Sequence, residues 1–499
     1  MDPMADLANR LFSRRRFLEL AAAIGAASAV DLMTPGLAKA AALPVVAPAS
    51  LNDIEHFVIL MQENRSFDEY FGTMSTVIGF DDPNAIPGVF KQQDLLPKNH
   101  SDPYVLPWRF NTAKTCAQAL PNLDHEWVIQ HLMWNEGQMN QFLLGQGFNP
   151  QVMGYFTQHD VPYHWALANA FTLCDAYHCS VLGPTDPNRI MVMSGSIDPL
   201  GLEGGPQIDN NVFFPGQLRW QSFPEVLSQN HVDWFLFQES DNYGDNMLPY
   251  FAAYTDTSSD LHRRGCGVIP TKGLLGQNTA ATIKQMALED TLPQVSYIVG
   301  PAETTEHPPN TPGFGARYID WILDALTANP DVWAKTLFII NYDENDGHFD
   351  HVLPPTPPIG TEGEYLFDTQ IGLGPNGPIG LGYRVPCLLI SPFTRGPLVC
   401  SDIFDHTSVI KLLEQRFNIH CPLISDWRRG TVGDLTTAIN FAGPLDLTVP
   451  KMPDAQLLAD LTAAETTLPT PTVPLNQSMP SQGTAPYRGR PSGPVGSPR

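Results

Sequence analysis

Two short, wholly apolar runs in this chain each end abruptly in acidic and amide side chains. Phe57-Val58-Ile59-Leu60-Met61 passes directly into Gln62-Glu63-Asn64-Arg65, and Leu337-Phe338-Ile339-Ile340 passes into Asn341-Tyr342-Asp343-Glu344. An unbroken run of this kind suits a strand covered on both faces, since neither side of it can face water. Val232 to Phe237, Val295 to Val299 and Val385 to Ser391 have the same character. Between them, Ala316 to Ala328 sets Tyr318, Ile319, Ile322, Leu323 and Leu326 on one helical face and stops at Asn329-Pro330, and Phe404 to Phe417 gives a second helix. Strands alternating with helices predict an α/β sandwich with a mostly parallel central sheet and helices on both faces. The Gly- and Pro-rich stretch from Pro354 to Pro378 predicts a long loop above that sheet.

The polar residues after these runs carry the functional signal. Ligands of open α/β sheets bind beyond the carboxyl ends of the strands, so Glu63-Asn64, Asp343-Glu344 and the Glu306-His307 pair after Val299 are placed to converge. Glu63, Asn64, Asp343 and Glu344 offer hard oxygen ligands for one divalent cation, Ca, Mg or Mn, without excluding Zn. Taken alone, Asp343-Glu344 also reads as a solvated turn and Glu63-Asn64 as a helix cap. Thr185 lies in Leu182-Gly183-Pro184-Thr185-Asp186-Pro187-Asn188-Arg189, where two prolines restrict a loop that presents one hydroxyl. A hydroxyl bound to a metal is easier to deprotonate and can attack phosphorus in line, with Asn188 and Arg189 holding phosphoryl oxygens. The same loop also reads as a tight turn closed by Thr and Asn. His125, His307 and His351 each stand beside acidic or proline-rich motifs, and a histidine is the usual proton donor to a leaving alkoxide. His348 and His406 read as structural, the latter at a helix start.

Composition bounds the partners. The chain has 499 residues, 43% hydrophobic and 16% charged, enough for one large catalytic domain. A net charge of −24, with no basic cluster beyond the N-terminus, argues against nucleic acid and against tight docking on anionic membranes. For a lipid substrate, a zwitterionic head group is the easier target. Ser13-Arg14-Arg15-Arg16-Phe17-Leu18, an apolar run to Val30 and Ala38-Lys39-Ala40 predict a twin-arginine signal peptide over residues 1–40. The expected partner is the twin-arginine translocation machinery, and the expected location is the periplasm, the cell wall or the medium. From Thr467 to Arg499 the chain is rich in Pro, Ser, Thr and Gly and reads as a disordered tail, leaving 41–466 as the catalytic domain. Seven cysteines match no zinc spacing, and a Cys174–Cys179 bridge is left open.

These segments together resemble the bacterial phosphoesterase family that joins phospholipases C with acid phosphatases. The resemblance rests on Ile54-Glu55-His56, Gln62-Glu63-Asn64-Arg65-Ser66-Phe67-Asp68-Glu69-Tyr70-Phe71-Gly72 and Pro184-Thr185-Asp186-Pro187-Asn188-Arg189, then Tyr342 to Gly347, Phe349-Asp350-His351-Val352 and Phe404-Asp405-His406-Thr407-Ser408. It implies an alkaline-phosphatase-like core with a single metal on Glu63, Asn64, Asp343 and Glu344. It also implies Thr185 as a nucleophile touching that metal, and His125, His307 and His351 around the phosphate. Asp346 departs from the pattern, standing where the family often has Gly. Trp427 to Leu435 is similar to the phospholipase C branch, in its short mycobacterial-type form. The expected reaction is hydrolysis of phosphatidylcholine or a related phospholipid through a phospho-Thr185 intermediate, with His307 or His351 protonating the leaving oxygen. A choline group would rest on Trp127, Trp134 or Tyr155, during a transient contact with the membrane surface. The rival readings are a broad acid phosphatase using the same site and an exported binding protein without turnover.

Overall fold

The computed structural model describes residues 49–493, apart from 98–99, 213, 368–375 and 444. The twin-arginine segment expected at 1–40 lies outside the described residues. Seven strands build the central sheet: β1 (His56–Gln62), β2 (Thr172–Cys174), β3 (Trp234–Phe237), β4 (Val295–Ile298), β5 (Thr336–Tyr342), β6 (Cys387–Ile390) and β7 (Leu398–Cys400). They lie side by side in the order β7-β2-β6-β5-β1-β4-β3. β1 pairs in parallel with β4 and β5, setting Phe57 beside both Val295 and Leu337. β3 continues this parallel set beyond β4. β6 runs against both of its neighbours, so the sheet is mostly rather than wholly parallel.

All seven residues of β1 and of β5 are buried, which accounts for their apolar sequences. Successive side chains of a strand point to opposite faces, and both faces of β1 are covered. On one face Phe57 packs against Phe417 of the helix His406–Phe417, ring centroids 6.0 Å apart, while Ile59 and Met61 line a small cavity with Val192 and Met193 of the helix Thr185–Ser194. On the other, Gln62 donates to Glu306 at 3.2 Å. Helix Pro312–Thr327 lies so close there that a Cβ on Gly315 would meet the Glu306 side chain at 2.1 Å. The helices expected at 316–328 and 404–417 are therefore present, the second opened by Asp405, whose carboxylate accepts from Thr407 N at 2.9 Å. Within the expected loop 354–378, Tyr365–Leu366 and Gly377–Pro378 pair as a short antiparallel ribbon.

One boundary needs correction. The tail after 467 does not stand free: its described part, to 493, lies against the catalytic body. Gln477 accepts from Leu106 N at 2.9 Å, Gln482 accepts from Asp81 N at 2.9 Å, and Arg488 is 2% exposed with Nε donating to Ser75 O at 3.2 Å. Its polar side chains satisfy main-chain groups of the body, a contact that an apolar count does not register. All seven cysteines are free, so Cys174 and Cys179 form no bridge.

Candidate active site

Four adjacent parallel strands deliver acidic groups to one end of the sheet. β1 ends at Glu63 and Asn64 and β5 at Asp343 and Glu344, while the segments after β4 and β3 lead to Glu306-His307 and to Asp245. Glu63, Asn64, Asp343 and Glu344 are all 0% exposed, and Asn64 N donates to Asp343 Oδ1 at 3.2 Å, joining the two strand ends. Asn64 adopts φ 56°, a left-handed conformation that asparagine tolerates better than most residues, and it turns the chain sharply out of β1. Asp343 is held from behind. Asn341 donates to Tyr177 Oη at 2.9 Å, Tyr177 lies 3.2 Å from His406 Nδ1, and His406 Nε2 donates to the Asp343 carbonyl at 2.8 Å. His406 is thus structural, as its place at a helix start suggests.

Thr185 is the first residue of helix Thr185–Ser194, and Arg189 sits one turn further along the same face. Arg189 donates through Nε to Asp343 Oδ2 at 3.0 Å and through one terminal nitrogen to Glu63 Oε1 at 3.1 Å, with Asp245 Oδ2 also at 3.1 Å. Because Arg189 reaches Glu63 and Asp343, the face of the helix that carries Thr185 is turned toward the acidic cluster. The helix N-terminus adds a partial positive charge beside Thr185, although Asp186 N is taken by Asn210 Oδ1 at 2.8 Å and Pro187 has no N–H to offer. Two of the three guanidinium nitrogens are thus engaged by three carboxylates. Asn188 is diverted: it accepts from Ser180 N and Val181 N, both at 2.9 Å, and donates to Gly183 O and Pro184 O, both at 3.0 Å. With every polar atom used, Asn188 shapes the loop before Thr185 and has no capacity left for a phosphate. Arg428, from the Trp427–Leu435 stretch, braces the same loop by donating to Ser180 O at 3.1 Å.

The electrostatics call for a cation. Burial, with Asp245 close by, pushes the Glu63 carboxyl well above its usual range, although Arg189 opposes this. Burial likewise raises Asp343 and Asp245, and raises Glu344 strongly. Three buried oxygens, Glu63 Oε2, Asn64 Oδ1 and Glu344 Oε1, accept no hydrogen bond from the protein, the last lying 3.7 Å from His125 Nε2. A buried acceptor without a donor is costly, and a hard divalent cation on these oxygens would satisfy them and the repelling carboxylates together. The residues thus fit the ion that the acidic pairs imply.

The histidines divide. His125 and His307 face each other with ring centroids 6.2 Å apart, and with Asp346 they bring one ligand atom each within 4.8 Å. Burial alone would lower His125, but Glu344 and Asp346 outweigh it and push this histidine to about 10. Burial lowers His307. His351 belongs elsewhere: its Nδ1 lies 2.6 Å from Asp68, and Arg384 ties Asp68 to Asp350 in a buried ion network. Its Nδ1 thus faces the helix that follows β1, while its Nε2, 3.5 Å from Asp82 Oδ2, is buried without a hydrogen bond. His348 is buried near Glu69 and Asp346. Trp127 is 0% exposed and offers no face to a choline group.

Asp245 was not identified from the sequence, because it lies eight residues beyond β3 in a polar stretch without motif character. Tyr243, 44% exposed with its ring 5.2 Å from that of His307, was missed for the same reason.

The chain is similar to several known proteins. The model of the Phosphoesterase family matches residues 54–420. The chain is 42% identical to a non-hemolytic phospholipase C of Pseudomonas aeruginosa, over 96% of this chain and 71% of that protein. It is 41% identical to phospholipase C B of Mycobacterium tuberculosis, over 96% of this chain and 98% of that one. Among solved structures, a protein of the alkaline phosphatase superfamily from Vibrio parahaemolyticus matches at 11% identity and a TM-score of 0.33, over 65% of this chain and 71% of that one.

Proposed function

The chain belongs to the Phosphoesterase family, and we propose that it is an exported, metal-dependent phospholipase C. Its substrate in this reading is phosphatidylcholine or a related phospholipid, and its products are diacylglycerol and a phosphorylated head group. The observation that carries the reading is the set of buried oxygens without a hydrogen bond on Glu63, Asn64 and Glu344, opposite a helix that begins with Thr185. The relatives' names supply the lipid.

In this scheme Glu63, Asn64, Asp343 and Glu344 hold one divalent cation, and Thr185 borders it. When bound, the cation offsets the carboxylate charge and makes a neighbouring hydroxyl easier to ionise. Thr185 Oγ1 attacks phosphorus while the bond to the diacylglycerol oxygen breaks, leaving the head-group phosphate ester on Thr185. The Thr185 main-chain amide, at the positive end of the helix, binds part of the charge gathering on the non-bridging oxygens. The leaving oxygen is served by the His125, His307 and Asp346 cluster, and the proton given up by Thr185 balances the one diacylglycerol gains. Water then releases the phosphorylated head group and restores Thr185.

Exposed Leu200, Leu202 and Phe214 support brief contact with a zwitterionic membrane. They stand on the same segment as Asn210, which accepts from Asp186 N, beside Thr185, at 2.8 Å. The twin-arginine pattern supports export. Purified protein assayed on phosphatidylcholine vesicles and on a chromogenic phosphomonoester tests the reading: lipid turnover is expected, and turnover of the monoester alone would make the protein a broad phosphatase instead. Cell fractionation tests export, with a protein shortened by about 40 residues expected outside the cytoplasm.

A further inference from the structure

Glu306, on the face of β1 covered by helix Pro312–Thr327, has no part in the scheme above, yet it is 0% exposed and its carboxylate gathers four donors. Tyr70 Oη and Tyr342 Oη donate to Oε2 at 2.6 and 2.9 Å. Gln62 Nε2 donates to Oε1 at 3.2 Å, and His164 Nε2, facing the same oxygen, donates at 3.0 Å. The Glu306 carbonyl accepts from Nε and a terminal nitrogen of Arg65 at 3.1 and 2.7 Å. Several of these partners flank the proposed ligands directly. Gln62 stands just before Glu63-Asn64 and Arg65 just after, Tyr342 stands just before Asp343-Glu344, and Glu306 itself precedes His307. Gln62 and Tyr342 are register partners on β1 and β5. Main-chain bonds follow the same lines: Glu63 N donates to Thr305 O at 2.8 Å, Asp343 N to Gln62 O at 3.1 Å and Arg65 N to Glu344 O at 3.0 Å.

We infer that Glu306 is a positioning residue whose carboxylate holds both ligand pairs and His307 in their working arrangement. The inference rests on the single-ion reading above, because the residues it aligns are that site's. A carboxylate taken out of water is costly unless its lone pairs are met, and here four donors meet an acceptor with about four lone-pair directions. An apolar side chain would fill the same space, but it has no direction to impose. A satisfied polar network does: it fixes the rotamers of its members, and groups that orient metal ligands from behind are typically worth about 10–100-fold in metal affinity or activity. The backbone is bent to the same end. Glu306 takes φ 71°, a left-handed conformation uncommon for glutamate, and the turn sends His307 toward His125, ring centroids 6.2 Å apart, while the carboxylate stays with Gln62 and Tyr342.

Glu306→Gln keeps the shape but turns one acceptor into an N–H that faces donors. The full protein, stripped with chelator, is titrated with Mn2+ and followed by the electron paramagnetic resonance of free and bound ion. Phosphatidylcholine vesicles give kcat and KM, and thermal melts report folding. The variant is expected to bind Mn2+ about 10–100-fold more weakly, with an altered bound-ion spectrum, and to lose at least about tenfold in kcat with KM held within about threefold. Tyr342→Phe removes one donor without adding another, and serves where the glutamine variant does not fold; it should weaken Mn2+ binding at least about threefold. Trp333→Phe is the comparison for stability alone. Trp333 donates to Leu447 O at 3.1 Å beside the opposite end of β5, so its loss should lower the melting temperature and leave Mn2+ affinity and kcat within about twofold. Unchanged Mn2+ affinity and kcat in a folded Glu306→Gln or Tyr342→Phe protein, or losses that Trp333→Phe shares, overturn the inference. A wild type that binds Mn2+ but leaves phosphatidylcholine intact overturns the proposed substrate, and the affinity comparison still decides on Glu306. A wild type that binds no Mn2+ overturns the ion reading and this inference with it.

Discussion

Replacing Arg189 by methionine removes the one guanidinium that touches three buried carboxylates. Methionine keeps most of the length and apolar volume, so the change isolates charge and hydrogen bonding. In protein freed of metal, Glu63, Asp245 and Asp343 then lose contacts of 3.0–3.1 Å with no solvent to replace them. Breaking a buried pair by removing one partner costs about 3–5 kcal/mol, and this is the loss expected in chelator. Acid should relieve it: burial already raises these carboxyls, and without Arg189 they bind protons more readily, so the deficit is largest near pH 8 and smaller near pH 5. A divalent cation should relieve it too, since ligand at a hundred times its Kd contributes about 2.7 kcal/mol, and the variant no longer sets a positive charge against it. The assay is urea unfolding of both proteins in chelator and in Mn2+, comparing midpoints. A deficit below about 1 kcal/mol in chelator, the worth of an exposed ion pair, would refute the argument. So would an equal gain from Mn2+ in variant and wild type.

Three further outcomes are expected. Thr185→Ala should lower kcat by about 10⁴-fold or more, as removal of a nucleophile does, while Thr185→Ser keeps measurable turnover; undiminished hydrolysis by the alanine variant would show that Thr185 is not the nucleophile. His351→Asn should cost about 1–3 kcal/mol through its lost bond to Asp68, yet keep kcat within about tenfold when folded, because its partners are Asp68 and Arg384; a folded variant with a far greater loss in kcat would return His351 to the reaction. His178, buried with Nδ1 2.8 Å from Gly382 O, is pushed down to about 4 by burial, so the unfolded chain binds its proton at higher pH than the folded one. Stability tied to it is present above about pH 6.5 and is lost as pH falls toward 4, by about 3 kcal/mol. The stability gap between wild type and His178→Gln should therefore narrow over that window in urea titrations, and a constant gap would contradict the assignment.

The strand ends were legible because burial leaves a direct mark: Phe57 to Met61 and Leu337 to Ile340 are apolar on both faces, and the next residues must be polar if the chain emerges into a site. Glu63, Asn64, Asp343 and Glu344 stood out by that position, and the family resemblance joined them into one ligand set. Thr185 was legible as a hydroxyl in a proline-framed segment. The direction of β6 was not, since an apolar run carries no sign of parallel or antiparallel pairing. Loop geometry hid the rest. His348 and His351 have equally acidic neighbours, and only the folded 350 loop shows that His351 turns to Asp68. Asn188 has the right chemistry for phosphate, but hydrogen-bond capacity is finite, and the structure spends it on the 180–184 loop. Asp245 gave no signal because nothing local marks it.

The packed tail has a consequence for how this protein would fail. β7 is an outer strand of the sheet, with one row of main-chain groups facing away from β2. Val399 N donates to Gly489 O at 2.8 Å and Gly489 N to Pro397 O at 2.9 Å, so the segment around Gly489 occupies part of that row. An open sheet edge is a template on which a second molecule can add its own strand. The Pro- and Gly-rich segment that reads from sequence as a disordered tail thus acts as an edge guard, and its own prolines cannot extend the ladder outward. A chain cut at residue 466 would keep every group of the catalytic cluster and gain a place to aggregate.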